Sequence, residues 1–287
     1  MAATDASDLA ARQVLTYQSV GYVGAMEKVS CDEVFVRIER EMAQNPGGAV
    51  AFDGDGTLWQ GDVAEDFFFT LLQLNDFRPP ALLAMRKEAE EFGIDARGDG
   101  ATLARRLFEE YQAGKYPELR CCEMMTWCCA GWRRDEIHDF ARNVVRERGL
   151  GARLHREIVA ILDWVRAKGV EALLVSASPR SIVDAAAELV GFPTSHIAAA
   201  TAGFDGDVMA ACMDGPVPYD PGKMIAIEAR IGKRVLYAGF GDNIYDVAML
   251  KAARVAVTFR PKARLLKRLD EIPGIVELAP NEPPTKG

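Results

Sequence analysis

Five apolar runs of strand length recur along the chain: "GAVAFDGD", "VEALLVSAS", "HIAAATAGF", "RVLYAGFGD" and "RVAVTF". Each is apolar at odd and even positions alike, so the strands they predict can show neither face to water. Between them lie "REIVAILDWVRAKG", "SIVDAAAELVG" and "GKMIAIEARIG", in which apolar residues return at the spacing of one helix face. Strands buried on both faces and joined through helices predict an α/β protein whose parallel sheet lies between two helical layers.

One stretch breaks the alternation. From about Asp62 to about Leu150 no strand run occurs, and five helical segments follow one another: "EDFFFTLLQL", "PPALLAMRKEAEEFG", "DGATLARRLFEEYQAG", "PELRCCEMMTWCCAG" and "RRDEIHDFARNVVRERGLG". Pro, Gly and Asp between them supply breaks and caps. The organisation expected is a sheet domain, 1–61 and 151–287, carrying an all-helical insert, 62–150. Residues 1–46 read as a helical extension ending at an Asn-Pro-Gly-Gly stop, and "NEPPTKG" as a frayed tail.

With 287 residues, 49% of them hydrophobic, the chain can build a substantial core. A net charge of -8 without any Lys/Arg-rich block argues against a nucleic-acid partner. No run approaches the ~18 apolar residues of a membrane span, and the first twenty residues lack the features of a secretory signal, so a cytoplasmic location is expected. The six cysteines include the adjacent pairs Cys121-Cys122 and Cys128-Cys129, which is not zinc-ligand spacing. Cys121, Met125, Cys128 and Cys129 read instead as one buried helix face.

Ligands of open α/β sheets bind beyond the carboxyl ends of the strands. Asp53 and Asp55 follow the first run, Ser176 and Ser178 the second, and Asp242, Asn243 and Asp246 the run "RVLYAGFG"; Lys223 opens the helix before that run. Carboxylates at neighbouring strand ends suit a hard cation such as Mg²⁺, which takes oxygen ligands. Asp53 and Asp55 are two residues apart, so strand periodicity turns both toward one cleft, and Gly54 and Gly56 let the backbone leave strand geometry sharply.

"DGDGTLW", "LLVSAS", "PGK" and "GDNIYDVAML" resemble, in order, the four motifs of the haloacid dehalogenase superfamily, and "VSASP" with "GDNxxD" and a helical insert after the first motif is similar to its phosphoserine phosphatase branch. The resemblance implies a Rossmann-like core, a helical cap over the cleft, Mg²⁺, and a small phosphorylated substrate. It implies that Asp53 is the nucleophile and forms an aspartyl phosphate, and that Asp55 is general acid and then general base. Ser176 and Lys223 would contact the transferring phosphoryl group. Asp53, Asp242 and the carbonyl of Asp55 would hold the metal, with Asp246 and the neighbouring Asn243 behind them. A phosphotransferase or mutase, a dehalogenase without need of Asp55, and an inactive phosphate-binding module are the competing readings.

Substrate choice is expected in the insert. Asp62 stands where the phosphoserine phosphatases carry a Glu that meets the substrate amine, so an amine-bearing ester is compatible. "LARRLFEEYQAG" is similar to a cap segment that supplies an Arg for a substrate carboxylate, with Arg105 or Arg106 as candidates. Ser178 reads equally as a phosphate contact or as the cap of the following helix. Trp59, Phe67, Phe68, Phe69, Tyr111, Trp127 and Trp132 could line a cage for a quaternary ammonium such as that of phosphocholine, although "DFFFTLL" has the spacing of core. Asp205 and Asp207 in "GFDGDV" imitate the first motif but read as a hairpin turn.

Overall fold

The computed structural model describes residues 26–280. Its strands are β1 (Glu27–Val29), β2 (Ala49–Asp53), β3 (Glu171–Pro179), β4 (Ile197–Ala200), β5 (Ala202–Asp205), β6 (Val208–Met213), β7 (Leu236–Gly241), β8 (Val255–Thr258) and β9 (Val276–Leu278). Seven of them form one parallel sheet in the order β1-β9-β8-β7-β2-β3-β4, and β5 and β6 pair as a separate antiparallel hairpin. β2 is therefore central, flanked by β3 and β7, and the ends of these three strands lie side by side.

Strand alternation assigns each face of the sheet to a layer. Val50 and Phe52 of β2 point into the larger apolar cluster, where Phe52 stacks on Phe240 of β7 with ring centroids 4.7 Å apart. Ala49 and Ala51 point the other way, onto Ile227 and Ile231 of the helix Pro221–Ile231 and Met249 of the helix Val247–Ala252. Asp53 shares the parity of Ala49 and Ala51, so it emerges on the side where the first of these helices begins. Full burial of Phe52 or Phe240 stabilises the fold by about 1.5–3 kcal/mol each.

The helices are α1 (Cys31–Gln44), then five in succession, α2 (Val63–Leu74), α3 (Pro79–Glu91), α4 (Gly100–Gln112), α5 (Glu118–Trp127) and α6 (Arg134–Glu147), then α7 (Arg156–Ala167), α8 (Arg180–Glu188), α9 (Pro221–Ile231), α10 (Val247–Ala252) and α11 (Ala263–Leu266). Asp62 caps α2 by accepting from Glu65 N at 3.0 Å, and Asp99 caps α4 by accepting from Thr102 N at 2.9 Å. The chain leaves for the five helices and returns from them at one place, where Gln60 N donates to Arg153 O at 2.8 Å and His155 N to Leu58 O at 3.0 Å. No helix among the described residues is long and apolar enough to cross a membrane.

Three expectations need correction. The N-terminal extension is not wholly helical: Glu27–Val29 is an edge strand on β9, and 1–25 lie outside the described residues, as does the "NEPPTKG" tail. "HIAAATAGF" is two strands rather than one, because the chain turns at Thr201 out of the sheet and into the β5–β6 hairpin. The helix carrying Cys121 and Met125 ends at Trp127, so Cys128 and Cys129, although buried, lie past its last turn. Asp205 and Asp207 do flank the hairpin turn, and Phe67 and Phe68 are core.

Candidate active site

Past Asp53 the chain turns at once, Leu58 N donating to Gly54 O at 2.8 Å. Gly56 adopts φ 85°, and a Cβ there would lie 2.1 Å from Asp242 Oδ2, so only glycine fits between the two strand ends. A Cβ on Gly54 would meet the Trp59 ring at 2.8 Å. That ring is fully buried, and its indole N–H donates to Asp55 Oδ1 at 2.8 Å. Val63 N donates to the same oxygen at 2.7 Å. From β3 the Ser178 hydroxyl donates to Asp55 Oδ2 at 2.6 Å, and Ser176 Oγ lies 3.4 Å from that oxygen while accepting from Ser178 N. Asp55 is thus aimed by four donors. The helix after Ser178 has no side-chain cap, so the capping alternative for Ser178 falls.

Lys223, on the first turn of α9, is buried with its ammonium between Asp53 Oδ1 and Asp246 Oδ1, the latter at 2.5 Å. Asp246 Oδ2 accepts from Asp242 N at 3.0 Å and Asn243 N at 2.8 Å, which leaves that carboxylate fully engaged. Asn243 turns its own Oδ1 back to Ile244 N at 2.7 Å, shaping the turn. Lys262 reaches Asp242 Oδ2 at 3.0 Å from beyond β8. Asp220, before α9, and Arg260, before Lys262, both hold φ 50° without being glycine. Such strain costs about 1–3 kcal/mol and sits in the two turns that deliver the lysines.

Oxygens of Asp53, Asp242 and Asp246 lie within 4.8 Å of one another. Burial raises Asp53 well above the ordinary carboxylate range, repulsion from Asp246 adds to this, and Lys223 opposes it. Burial likewise pushes Asp242 up to about 6, against the pull of Lys262. Lys223 is held above its usual range by Asp246 and Asp53 despite its burial. Asp242 Oδ1 is buried with no hydrogen-bond partner among the described residues. An orphaned carboxylate oxygen with a second hard oxygen donor, Asp53, close by, in a site where burial disfavours every charge, fits a divalent cation such as Mg²⁺.

One cleft of about 130 Å³ brings together Asp53, Asp55, Asp62, Ser176, Ser178, Lys223, Asn243 and Asp246. Asp242 lies buried beside it. Asp62 faces the water of its mouth, with enclosure first and the Asp55 charge second raising its pKa. Arg106 is not in the cleft: it donates to Arg97 O at 2.8 Å and lies 3.7 Å from Asp95. Phe108 and Tyr111 carry the cleft-facing side of α4, and at ~100° per residue Arg106 falls on the far side of the helix. Arg105 is exposed and does not line it either. Of the candidate cage aromatics only Tyr111 reaches the cleft, since Trp59, Phe67, Phe68, Trp127 and Trp132 are spent in the core.

Sequence reasoning missed Lys262, Glu65, Glu118, Tyr219 and Tyr245, all of which line the cleft. Tyr219 and Tyr245 had a signal, because each sits within a few residues of a motif acid or lysine. Glu118 and Lys262 had none; their segments arrive through tertiary packing.

A sequence model of the haloacid dehalogenase-like hydrolases matches residues 50–251. Among solved structures the chain is similar to a protein of unknown function from Bordetella pertussis Tohama I, at 20% identity over 82% of this chain and 100% of that one, with a TM-score of 0.61. It is similar to a functionally unknown protein from Anaerococcus prevotii DSM 20548, at 16% identity over 87% of this chain and 91% of that one, TM-score 0.62. Cytosolic 5'-nucleotidase IIIB bound to cytidine is also similar, at 13% identity over 87% and 86% of the two chains, TM-score 0.53. At these identities the likeness is one of fold. No curated protein matches the chain.

Proposed function

The chain belongs to the haloacid dehalogenase-like hydrolases, and from that premise we propose that it is a Mg²⁺-dependent phosphomonoesterase acting on a small phosphorylated metabolite through an aspartyl phosphate on Asp53. The observation that carries the reading is the meeting of Asp53, Asp55 and the orphaned Asp242 oxygen, at two adjacent strand ends, with Lys223 from the start of α9. Phosphoryl transfer asks for little beyond positioning and charge neutralisation, and this set offers both.

Asp53 and Asp242, with the carbonyl of Asp55, would hold the metal, which would supply neutralisation of phosphoryl charge when bound. An oxygen of Asp53 attacks phosphorus as the bond to the leaving alkoxide breaks, and Asp55 gives that alkoxide its proton. Water then attacks the phosphoryl group, Asp55 takes the proton back, and the Asp53–phosphorus bond breaks to release phosphate. The Ser178 hydroxyl can accept as readily as it donates, so its contact with Asp55 Oδ2 tolerates either state of that acid. Lys223 offsets charge on Asp53 and the phosphoryl oxygens, and Asp246 holds Lys223 in place.

The insert 62–150 acts as the cap, and the chain segments 58–60 and 153–155, hydrogen-bonded side by side, support a boundary there. The motif combination of the sequence supports the phosphoserine phosphatase-like branch. Phosphate release from a panel of phosphorylated metabolites, with and without Mg²⁺, tests the reading: activity that needs Mg²⁺ supports it, and no release from any ester overturns it.

A further inference from the structure

Opposite the phosphoryl end, the cleft wall has a chemistry of its own. Glu118, on the first turn of α5, accepts from the Tyr245 hydroxyl and lies 3.4 Å from that of Tyr111. Tyr245 stacks on Tyr219 with centroids 4.3 Å apart and planes 29° apart. Asp62 and Glu65 complete the wall from the start of α2. Among the described residues the only cations lining the cleft are Lys223 and Lys262. Both are committed to the phosphoryl end, one between Asp53 and Asp246 and the other on Asp242. Three carboxylates and three phenol rings therefore line the rest of the cleft, with Lys262 near Asp62 and Glu65 and Arg264 reaching Glu118 from outside.

This wall is not arranged as a second metal site. The only set of three or more His, Cys, Asp or Glu side chains gathered within 4.8 Å among the described residues is Asp53, Asp242 and Asp246. Spaced carboxylates with aromatic surfaces between them suit a larger, softer cation, which gains from the ring quadrupoles as well as from charge. Arg264 shows the pairing from outside: its guanidinium lies over the Tyr245 ring at 4.9 Å and 3.6 Å from Glu118, yet it is largely exposed and does not line the cleft.

We propose that the cleft selects phosphomonoesters of small alkylammonium alcohols, the cation seated against Glu118 and the Tyr111 and Tyr219 rings. A substrate that also carries a carboxylate is disfavoured, since that group would face Glu118, Glu65 or Asp62.

This inference rests on the phosphomonoesterase reading, and its test keeps the two apart. kcat/KM is measured with Mg²⁺ for phosphocholine, phosphoethanolamine, phosphoserine, glycerol 3-phosphate and p-nitrophenyl phosphate. The two carboxylate-free ammonium esters should exceed glycerol 3-phosphate and phosphoserine by roughly tenfold or more, and Glu118→Gln should lower the phosphocholine value far more than the p-nitrophenyl phosphate value. Equal values across the panel, or preference for the anionic alcohols, overturn the proposal. If no ester is hydrolysed, the phosphomonoesterase reading falls by itself, and calorimetric titration of the wild-type protein with choline and with tetramethylammonium decides: binding supports the cation seat, and no binding of either overturns it. Choline binding by the wild type needs no variant, so a Glu118→Gln protein that fails to fold does not remove the test.

Discussion

Gly56 and Asp242 are so close that the smallest side chain at position 56 would collide with the carboxylate, a Cβ falling 2.1 Å from Asp242 Oδ2. The backbone at Gly56 is also left-handed, at φ 85°. Gly56→Ala should therefore push Asp242 aside as well as straining the turn, the strain alone costing about 1–3 kcal/mol. Mg²⁺ titration of the purified variant should show at least roughly tenfold weaker activation. Unchanged Mg²⁺ dependence would mean that Asp242 does not hold the metal.

Asp53→Asn keeps the shape of the nucleophile and removes its reactivity. Turnover should drop below about a hundredth of wild type while the thermal midpoint is kept or rises, since a buried charge disfavoured by its surroundings has been neutralised. A variant that retains more activity than this contradicts the covalent route.

Chelation should silence the enzyme and Mg²⁺ should restore it. Ca²⁺ should substitute poorly, because its larger and looser oxygen shell would misplace the attacking Asp53. Full activity after exhaustive dialysis against EDTA would take the metal out of the reaction.

Trp59→Phe removes the indole N–H that aims Asp55 and leaves most of the ring packing. The lost hydrogen bond is worth about 1–1.5 kcal/mol, so kcat should fall roughly tenfold, with KM nearly constant. A KM effect without a kcat effect would place Trp59 in substrate binding rather than in the orientation of Asp55.

Asp62→Asn preserves the helix cap, because asparagine caps as well as aspartate, and removes the charge that Asp62, its pKa pushed up to about 8 by enclosure and the Asp55 charge, carries in full only in alkaline buffer, where the comparison is made. KM for phosphoethanolamine should rise roughly ten- to hundredfold more than KM for p-nitrophenyl phosphate, the worth of one charge-assisted contact. Equal effects on both substrates would assign Asp62 to the shared machinery or to the fold.

The parallel sheet, its two helical layers and the five-helix interruption were legible in the sequence because burial on both faces leaves a period that composition cannot disguise, as in Ala49–Asp53 and Leu236–Gly241. The grouping of acids and hydroxyls was legible for a related reason: Asp53, Asp55, Ser176, Ser178 and Asp242 all sit at or just past strand ends, and local geometry dictates where a strand end points. Short strands at one side of the sheet escaped. Glu27–Val29 pairs with Val276–Leu278 across most of the chain, and Val276–Leu278 pairs in turn with β8, pairings that no local pattern announces.

The far wall of the cleft was assembled by tertiary structure. Arg106 and Phe108 share one helix and a similar local sequence, yet the packing of α4 turns Phe108 inward and Arg106 away. Glu118, Tyr219 and Tyr245 come from three separate segments, and their meeting depends on how α5 docks over the strand ends. A motif encodes chemistry within a few residues of itself, whereas a cleft wall assembled across a hundred residues is written only in the packing.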